Sequence, residues 1–199
     1  MFSGIVEGTG QIRDVVDRET TRSFRVEAPE IAPELSVGDS VAVDGACLTV
    51  VDLDGDSFSV DVIGTTLART IAGSYAEACR VNLERALKMG GRVDGHLVQG
   101  HVDGIGCLRE RMKDGEFWLM DFTLPFEVFS QTIEHGSITL NGVSLTVSEL
   151  LPENGVRIGV IPHTHEHTNL GELEVGAKVN VEGDLIGKYV DRILGQRTK

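Results

Sequence analysis

Cysteine is scarce in this chain of 199 residues: Cys47, Cys79 and Cys107 are all it has. An odd count with no Cys-x-x-Cys pair argues against both a disulfide framework and a zinc ribbon, and points to a reducing, cytoplasmic setting. Basic residues are few, 18 against 31 acidic ones, for a net charge of −13. So negative a surface repels phosphate backbones and anionic lipid heads, which excludes nucleic acid and membrane surfaces as partners. No run approaches the roughly 18 apolar residues of a membrane helix. Met1 to Glu7 lacks the basic start and apolar core of a signal peptide. Aromatics make up 5% and prolines number five, while glycines reach 24. Many glycines and few apolar helical stripes favour short strands and tight turns. The remaining composition, 41% hydrophobic and 25% charged, is that of a globular protein.

What is present is a repeat. Gly4-Ile5-Val6-Glu7-Gly8-Thr9-Gly10 aligns with Gly100-His101-Val102-Asp103-Gly104-Ile105-Gly106. Ser40 to Val50 aligns with Ser137 to Val147, with five of eleven positions identical (Ser, Gly, Leu, Thr and Val). Thr66 and Thr70 align with Thr164 and Thr168, and Val81-Asn82-Leu83-Glu84 with Val179-Asn180-Val181-Glu182. The matches keep their order, and the offset drifts from 96 to 98 one residue at a time. That pattern describes a duplicated domain with small loop insertions. The halves span 1–97 and 98–187, with Met89 to Gly95 as the join, followed by a tail over 188–199.

Each half reads as β. Asp44-Gly45 and Asn141-Gly142 sit between β-branched runs and signal hairpins. Phe58 to Val62 and Val156 to Val160 alternate with period 2. Short strands this closely spaced predict a small closed barrel per half, because closure removes exposed edges. Short helices are expected near Glu30–Leu35 and Phe126–Ile133. At the C-terminus Ile186, Val190, Ile193 and Leu194 share a helical face, suited either to the chain's own barrel or to an oligomer contact. The expected class is all-β, two tandem homologous Greek-key barrels plus a C-terminal helix.

Two copies of one barrel carry two similar pockets, and such a pair can set two like molecules against each other. Cys47 and Thr49 follow one hairpin, Ser144 and Thr146 its twin; period 2 turns both members of each pair to one face, inward or outward. The halves differ where Ile5 answers His101 and Cys47 answers Ser144. His101 alone of these exchanges protons near neutral pH. His163, His165 and His167 would share a face on a strand, as metal ligands do. Their counterparts Thr65, Leu67 and Arg69 are not ligands, and Pro162 suggests an irregular strand end, so no metal site is assigned.

Several stretches together resemble the riboflavin synthase family, enzymes of two tandem lumazine-binding repeats. They are Met1 to Val6, Gly45 to Val50, Asn82 to Ala86, Gly95 to Asp103, Gly136 to Val147, Ile161 to Thr164 and Gly187 to Tyr189. The resemblance spans Met1 to about Arg192. It implies two Greek-key barrels and a homotrimer held partly by the C-terminal helix. It implies dismutation of two 6,7-dimethyl-8-ribityllumazine molecules to riboflavin and 5-amino-6-(ribitylamino)uracil, with no cofactor or metal. The active site then lies between the N-terminal barrel of one subunit and the C-terminal barrel of its neighbour, and lumazine synthase is admitted as a protein partner.

Carried over by position, Gly4, Ile5, Val6, Cys47, Leu48, Thr49, Asp61, Val62, Ile63, Gly64, Thr65 and Thr66 line the N-barrel pocket. Gly100, His101, Val102, Ser144, Leu145, Thr146, Gly159, Val160, Ile161, Pro162, His163 and Thr164 line the C-barrel pocket. Phe2, Ser40, Cys47, Asn82, His101, Ser144, Thr146 and Asp184 match residues that the family places near the reaction, with His101 and Ser144 or Thr146 handling protons. His135 stands where the family often has lysine, which replaces a fixed charge on the substrate ring by a titratable one. Antenna proteins of the same duplicated fold bind one chromophore without turnover, and are the alternative.

Overall fold

The computed structural model describes residues 1–197. Thr198 and Lys199, the end of the expected tail, lie outside the described residues. The first half forms β1 (Gly8–Asp17), β2 (Thr21–Glu27), β3 (Ser40–Val43), β4 (Ala46–Asp54), β5 (Ser57–Ile63), the short helix α1 (Gly64–Arg69) and β6 (Arg80–Arg85). The second forms β7 (Gly104–Asp114), β8 (Phe117–Thr123), α2 (Phe126–Phe129), β9 (Ser137–Leu140), β10 (Val143–Leu151), β11 (Gly155–Val160), α3 (Pro162–His167) and β12 (Lys178–Gly183); α4 (Leu185–Arg197) follows.

Both halves close into six-stranded antiparallel barrels in the Greek-key order β1-β2-β5-β4-β3-β6 and its repeat β7-β8-β11-β10-β9-β12. Even the irregularities recur. Register shifts between Ile12 and Asp14 and between Val50 and Asp52 return between Leu108 and Glu110 and between Val147 and Glu149. A bulge bends its strand and tightens the twist, as closing so small a barrel requires. Inward positions follow the period of 2: Val41, Val43, Leu48, Val50, Phe58 and Val60 fill one core, and Ile138, Leu140, Leu145, Val147, Ile158 and Val160 the other.

The hairpins fold as their sequences indicate. Asp44 and Gly45 have φ of 43° and 78°, Asn141 and Gly142 45° and 78°, the doubly left-handed turn that suits the strand twist. The tips meet each other: a Cβ on Gly45 would lie 2.7 Å from the Gly142 nitrogen, and the reverse contact is also 2.7 Å. The two turns thus form the centre of the barrel–barrel junction.

Helix is placed differently from the sequence expectation. Near Glu30–Leu35 there is only a 3-10 turn, Ala32–Glu34, and near Phe126–Ile133 the single turn of α2. α1 and α3, unforeseen, each run into a further 3-10 turn, Ile71–Ser74 and Asn169–Glu172. The hydroxyls of Thr70 and Thr168 join these pieces, donating to the carbonyls of Thr66 and Thr164 and accepting from the amides of Ala72 and Leu170. The threonines aligned by sequence are therefore helix-turn connectors.

Candidate functional site

The strands beside each expected pocket part at one end. β4 and β5 pair from Val50 opposite Val60 to Asp54 opposite Ser57, while Ala46 to Thr49 pair with β3. β10 and β11 pair from Val147 opposite Ile158 to Leu151 opposite Gly155, while Val143 to Thr146 pair with β9. The segment that opens the other half of the chain takes the freed edge. Cys47 N–H donates to the Gly100 carbonyl at 2.8 Å, and Ser144 N–H to the Gly4 carbonyl at 2.7 Å.

Gly4 and Gly100 have φ of +75° and +80°, and an added Cβ would lie 2.7 Å from Ser144 Cβ and 2.6 Å from Cys47 Cβ, so both crossings need glycine. The sequence reading puts Gly4, Ile5 and Val6 in the N-barrel pocket and Gly100, His101 and Val102 in the C-barrel pocket; the structure crosses them over. The cause is an antiparallel bridge between Phe2 and Val98, which carries each opening segment past its own barrel. Val6 accordingly packs on the core of the second barrel.

The N-terminal cleft is a cavity of about 310 Å³ lined by Ala46, Cys47, Thr65, Thr66, Arg69, Thr70 and the crossing residues Gly100, His101 and Val102. Cys47 and Thr49 point out of the barrel, because Leu48 and Val50 between and beyond them point in. Leu48, Thr49 and Val62 are not part of this lining, and the side chains of Leu48 and Val62 are buried in the core. Ile63 and Gly64 are exposed and Asp61 accepts from the Ser23 hydroxyl at 2.5 Å, all three outside this lining.

In the C-terminal cleft Ser144 and Thr146 point outward, and Leu145 and Val160 turn into the core. Gly159, Ile161, Pro162 and His163 are exposed along the run into α3, and Thr164 is half-buried. Pro162 starts a helix, where its missing N–H costs nothing, and does not end a strand. His163, His165 and His167 therefore do not share a strand face. The rings of His163 and His167 stack at 4.2 Å, while His165 lies on Trp118 at 4.7 Å. Among the described residues no group of three His, Cys, Asp or Glu could hold a metal ion.

The structure pairs Ser144 with His96, not with His101. His96 Nδ1 lies 2.7 Å from Ser144 Oγ, and its Nε2 lies 3.2 Å from Thr139 Oγ1. With the proton on Nε2, Nδ1 accepts from the serine hydroxyl. Burial holds His96 below the ordinary histidine pKa of 6.5, against the opposing pull of the Asp184 carboxylate. A neutral imidazole on a hydroxyl is the arrangement that activates oxygen. Sequence reasoning missed His96 because it sits just past the join, ahead of the aligned repeat, and has no counterpart in the first half.

The other candidates scatter. Phe2 is fully buried with Ala42 and Val98 behind the Cys47 cleft. Asn82 is 1% exposed between the barrels, its side chain bonded to the Asn141 carbonyl and to Asn169, so it joins the two halves. Ser40 lies opposite Thr49 on the outer face but lines a separate cavity of about 490 Å³ with Ile5, Glu84 and Arg85. Asp184 accepts from Ile186 N–H at the start of α4. His135 is exposed in a left-handed turn, φ 63°, and its N–H donates to the Val147 carbonyl.

Residues 3–86 and 99–184 each match the lumazine binding domain family. The riboflavin synthase of Mycobacterium tuberculosis (strain ATCC 25618 / H37Rv) is 40% identical over 197 residues, 98% of each chain. The chain belongs to the riboflavin synthase family. Its relatives in that family include the riboflavin synthase of Bacillus subtilis (strain 168), 38% identical over 98% of this chain and 90% of that one. The crystal structure of LumP complexed with riboflavin superimposes with a TM-score of 0.86, at 26% identity over 92% of this chain and 99% of that one. LumP complexed with 6,7-dimethyl-8-(1'-D-ribityl) lumazine gives 0.83 at the same identity and coverage.

Proposed function

We propose that this chain is a riboflavin synthase that dismutates two molecules of 6,7-dimethyl-8-ribityllumazine into riboflavin and 5-amino-6-(ribitylamino)uracil. One lumazine gives up a four-carbon fragment, its C6 and C7 with their methyl groups. Two carbon–carbon bonds form to the methyl carbons of the other molecule, and two carbon–nitrogen bonds of the first break. The atoms balance with no oxidant and no net water, so positioning and proton transfer are what the protein must supply.

The observation that carries this reading is the neutral His96 at 2.7 Å from the Ser144 hydroxyl in a cleft whose twin bears Cys47 and His101. Through Ser144, His96 takes the proton leaving the acidic C7 methyl of the ring in the C-terminal cleft. His101 returns a proton to the departing nitrogen of the ring in the N-terminal cleft. The hydroxyls of Thr65 and Thr66 receive the ribityl chain there, as Thr146 and Thr164 do in the twin. The lumazine bound by LumP, a close structural relative, supports the ligand class.

In this reading three copies assemble through α4, and the N-terminal cleft of one faces the C-terminal cleft of the next. The exposed Ile186, Tyr189, Val190, Ile193 and Leu194 of α4 favour such a contact. Incubating the protein with the lumazine alone tests the reaction: one riboflavin appears per two lumazines consumed. Tight binding that leaves the lumazine intact would instead mark an antenna-type protein.

A further inference from the structure

Two buried acids stand apart from both clefts. Glu84 lies near the end of β6 and Glu182 near the end of β12, at matching places in the repeated Val-Asn-Leu-Glu and Val-Asn-Val-Glu runs. They are 5% and 3% exposed, and neither forms an ion pair among the described residues. Each carboxylate instead grips two consecutive backbone amides. Glu84 accepts Ser3 N–H at 2.7 Å and the Ser3 hydroxyl at 2.8 Å on one oxygen, and Gly4 N–H at 3.0 Å on the other. Glu182 accepts Gln99 N–H at 2.8 Å and Gly100 N–H at 3.0 Å.

An ionised carboxylate accepting on both oxygens fixes direction as well as distance. Glutamine has the same shape but would turn an N–H₂ group toward one of the two donors, leaving a buried amide unpaired. The carbonyls next in line are those that cross the barrel boundary, Gly4 to Ser144 and Gly100 to Cys47.

We propose that Glu84 and Glu182 are positioning residues, each serving the cleft of the opposite barrel. Glu84, on the first barrel, sets the wall of the C-terminal cleft at Ser144. Glu182, on the second, sets the wall of the N-terminal cleft at Cys47, and with it the place of His101. Only the kinetic consequence rests on the proposed reaction; the crossed geometry does not.

Alkylation of Cys47 by iodoacetamide in the full chain, resolved by peptide mass mapping with Cys79 as internal reference, tests the assignment. Glu182→Gln is expected to raise the Cys47 rate about fivefold and leave Cys79 unchanged, while Glu84→Gln leaves both unchanged. Glu182→Gln also lowers kcat about tenfold with KM nearly constant, the mark of a displaced wall. An unchanged Cys47 rate in Glu182→Gln, a parallel rise at Cys79, or an equal rise in Glu84→Gln would overturn the proposal. Should Glu182→Gln fail to accumulate, hydrogen exchange on the parent protein decides. Ser3, Gly4, Gln99 and Gly100 amides must be as protected as the β4 ladder, and loop-like exchange there refutes the grip. Thiol labelling needs no turnover, so it stands or fails apart from the lumazine reaction.

Discussion

Asp44 is 1% exposed and accepts three hydrogen bonds, from Asn82 N–H at 2.8 Å, the Asn169 side-chain amide at 2.8 Å and the Tyr75 hydroxyl at 2.7 Å. Burial pushes its carboxyl up to about 7 from 3.8, outweighing those donors. Between these values the folded chain holds a proton that the unfolded chain has released. Stability therefore falls as pH rises through that window, by about 4 kcal/mol in all, and levels off above it. The twin position is Asn141, so the site tolerates an amide. Asp44→Asn is expected to remove that slope, read as the difference between the Tm–pH curves of parent and variant from pH 4 to 8. Parallel curves would deny Asp44 its raised pKa. His96 makes the matching statement for catalysis. His96→Ala should cost about 10²- to 10⁴-fold in kcat/KM. In the parent, activity should decline on the acid side only below the ordinary histidine range, since burial keeps the ring neutral.

At the scale of elements, α1 and α3 decide what the clefts contain. Each turns the chain out of the barrel directly after β5 or β11, and α1 so brings Thr65, Thr66 and Arg69 into the N-terminal cleft. Among the described residues, α4 is tied to the second barrel where Lys188 pairs with Asp103 at 2.7 Å and Gln131 donates to Asp191 at 3.3 Å. A groove of about 450 Å³ separates it from the second barrel, so the helix does not lie flush on its own core. On the proposed assembly of three copies through α4, ending the chain at Asp184 is expected to leave a monomer in sedimentation and to abolish turnover, while both barrels keep their β signature in circular dichroism. A truncated chain that still sediments as a trimer would remove α4 from the assembly.

For the whole molecule, the two barrels are one unit because their hairpin tips share a buried amide network. Asn169 is its asymmetric member: its side chain donates to Asp44 and accepts from both Asn82 and Asn141, and its N–H donates to Asn82. Asn180 adds a bond to the Asp44 carbonyl and accepts Ile71 N–H. Buried amides left without partners cost about 1–3 kcal/mol each. Asn169→Ala should therefore turn a single calorimetric transition into two, one per barrel, with the lower Tm several degrees below the parent's. A variant that still melts in one step would show that the tips' close contact suffices.

The sequence by itself determined the duplication, the two barrels, the hairpins at Asp44-Gly45 and Asn141-Gly142, and that Cys47 and Thr49, like Ser144 and Thr146, share one face; that this face is the outer one was decided by the structure. Period 2, turn chemistry and repeat matching are local signals, legible along one strand. The family was legible for the same reason. Only the tertiary structure decided that the opening segments cross, that His96 rather than His101 meets Ser144, that Asn82 lies between the barrels, and that Glu84 and Glu182 grip the crossing backbone. Each of these depends on contacts between residues 48 to 140 positions apart, set by the Phe2–Val98 bridge and the meeting of two glycine turns. Alignment of the halves matches each segment to its twin, but a match between two copies does not say which copy a segment will touch.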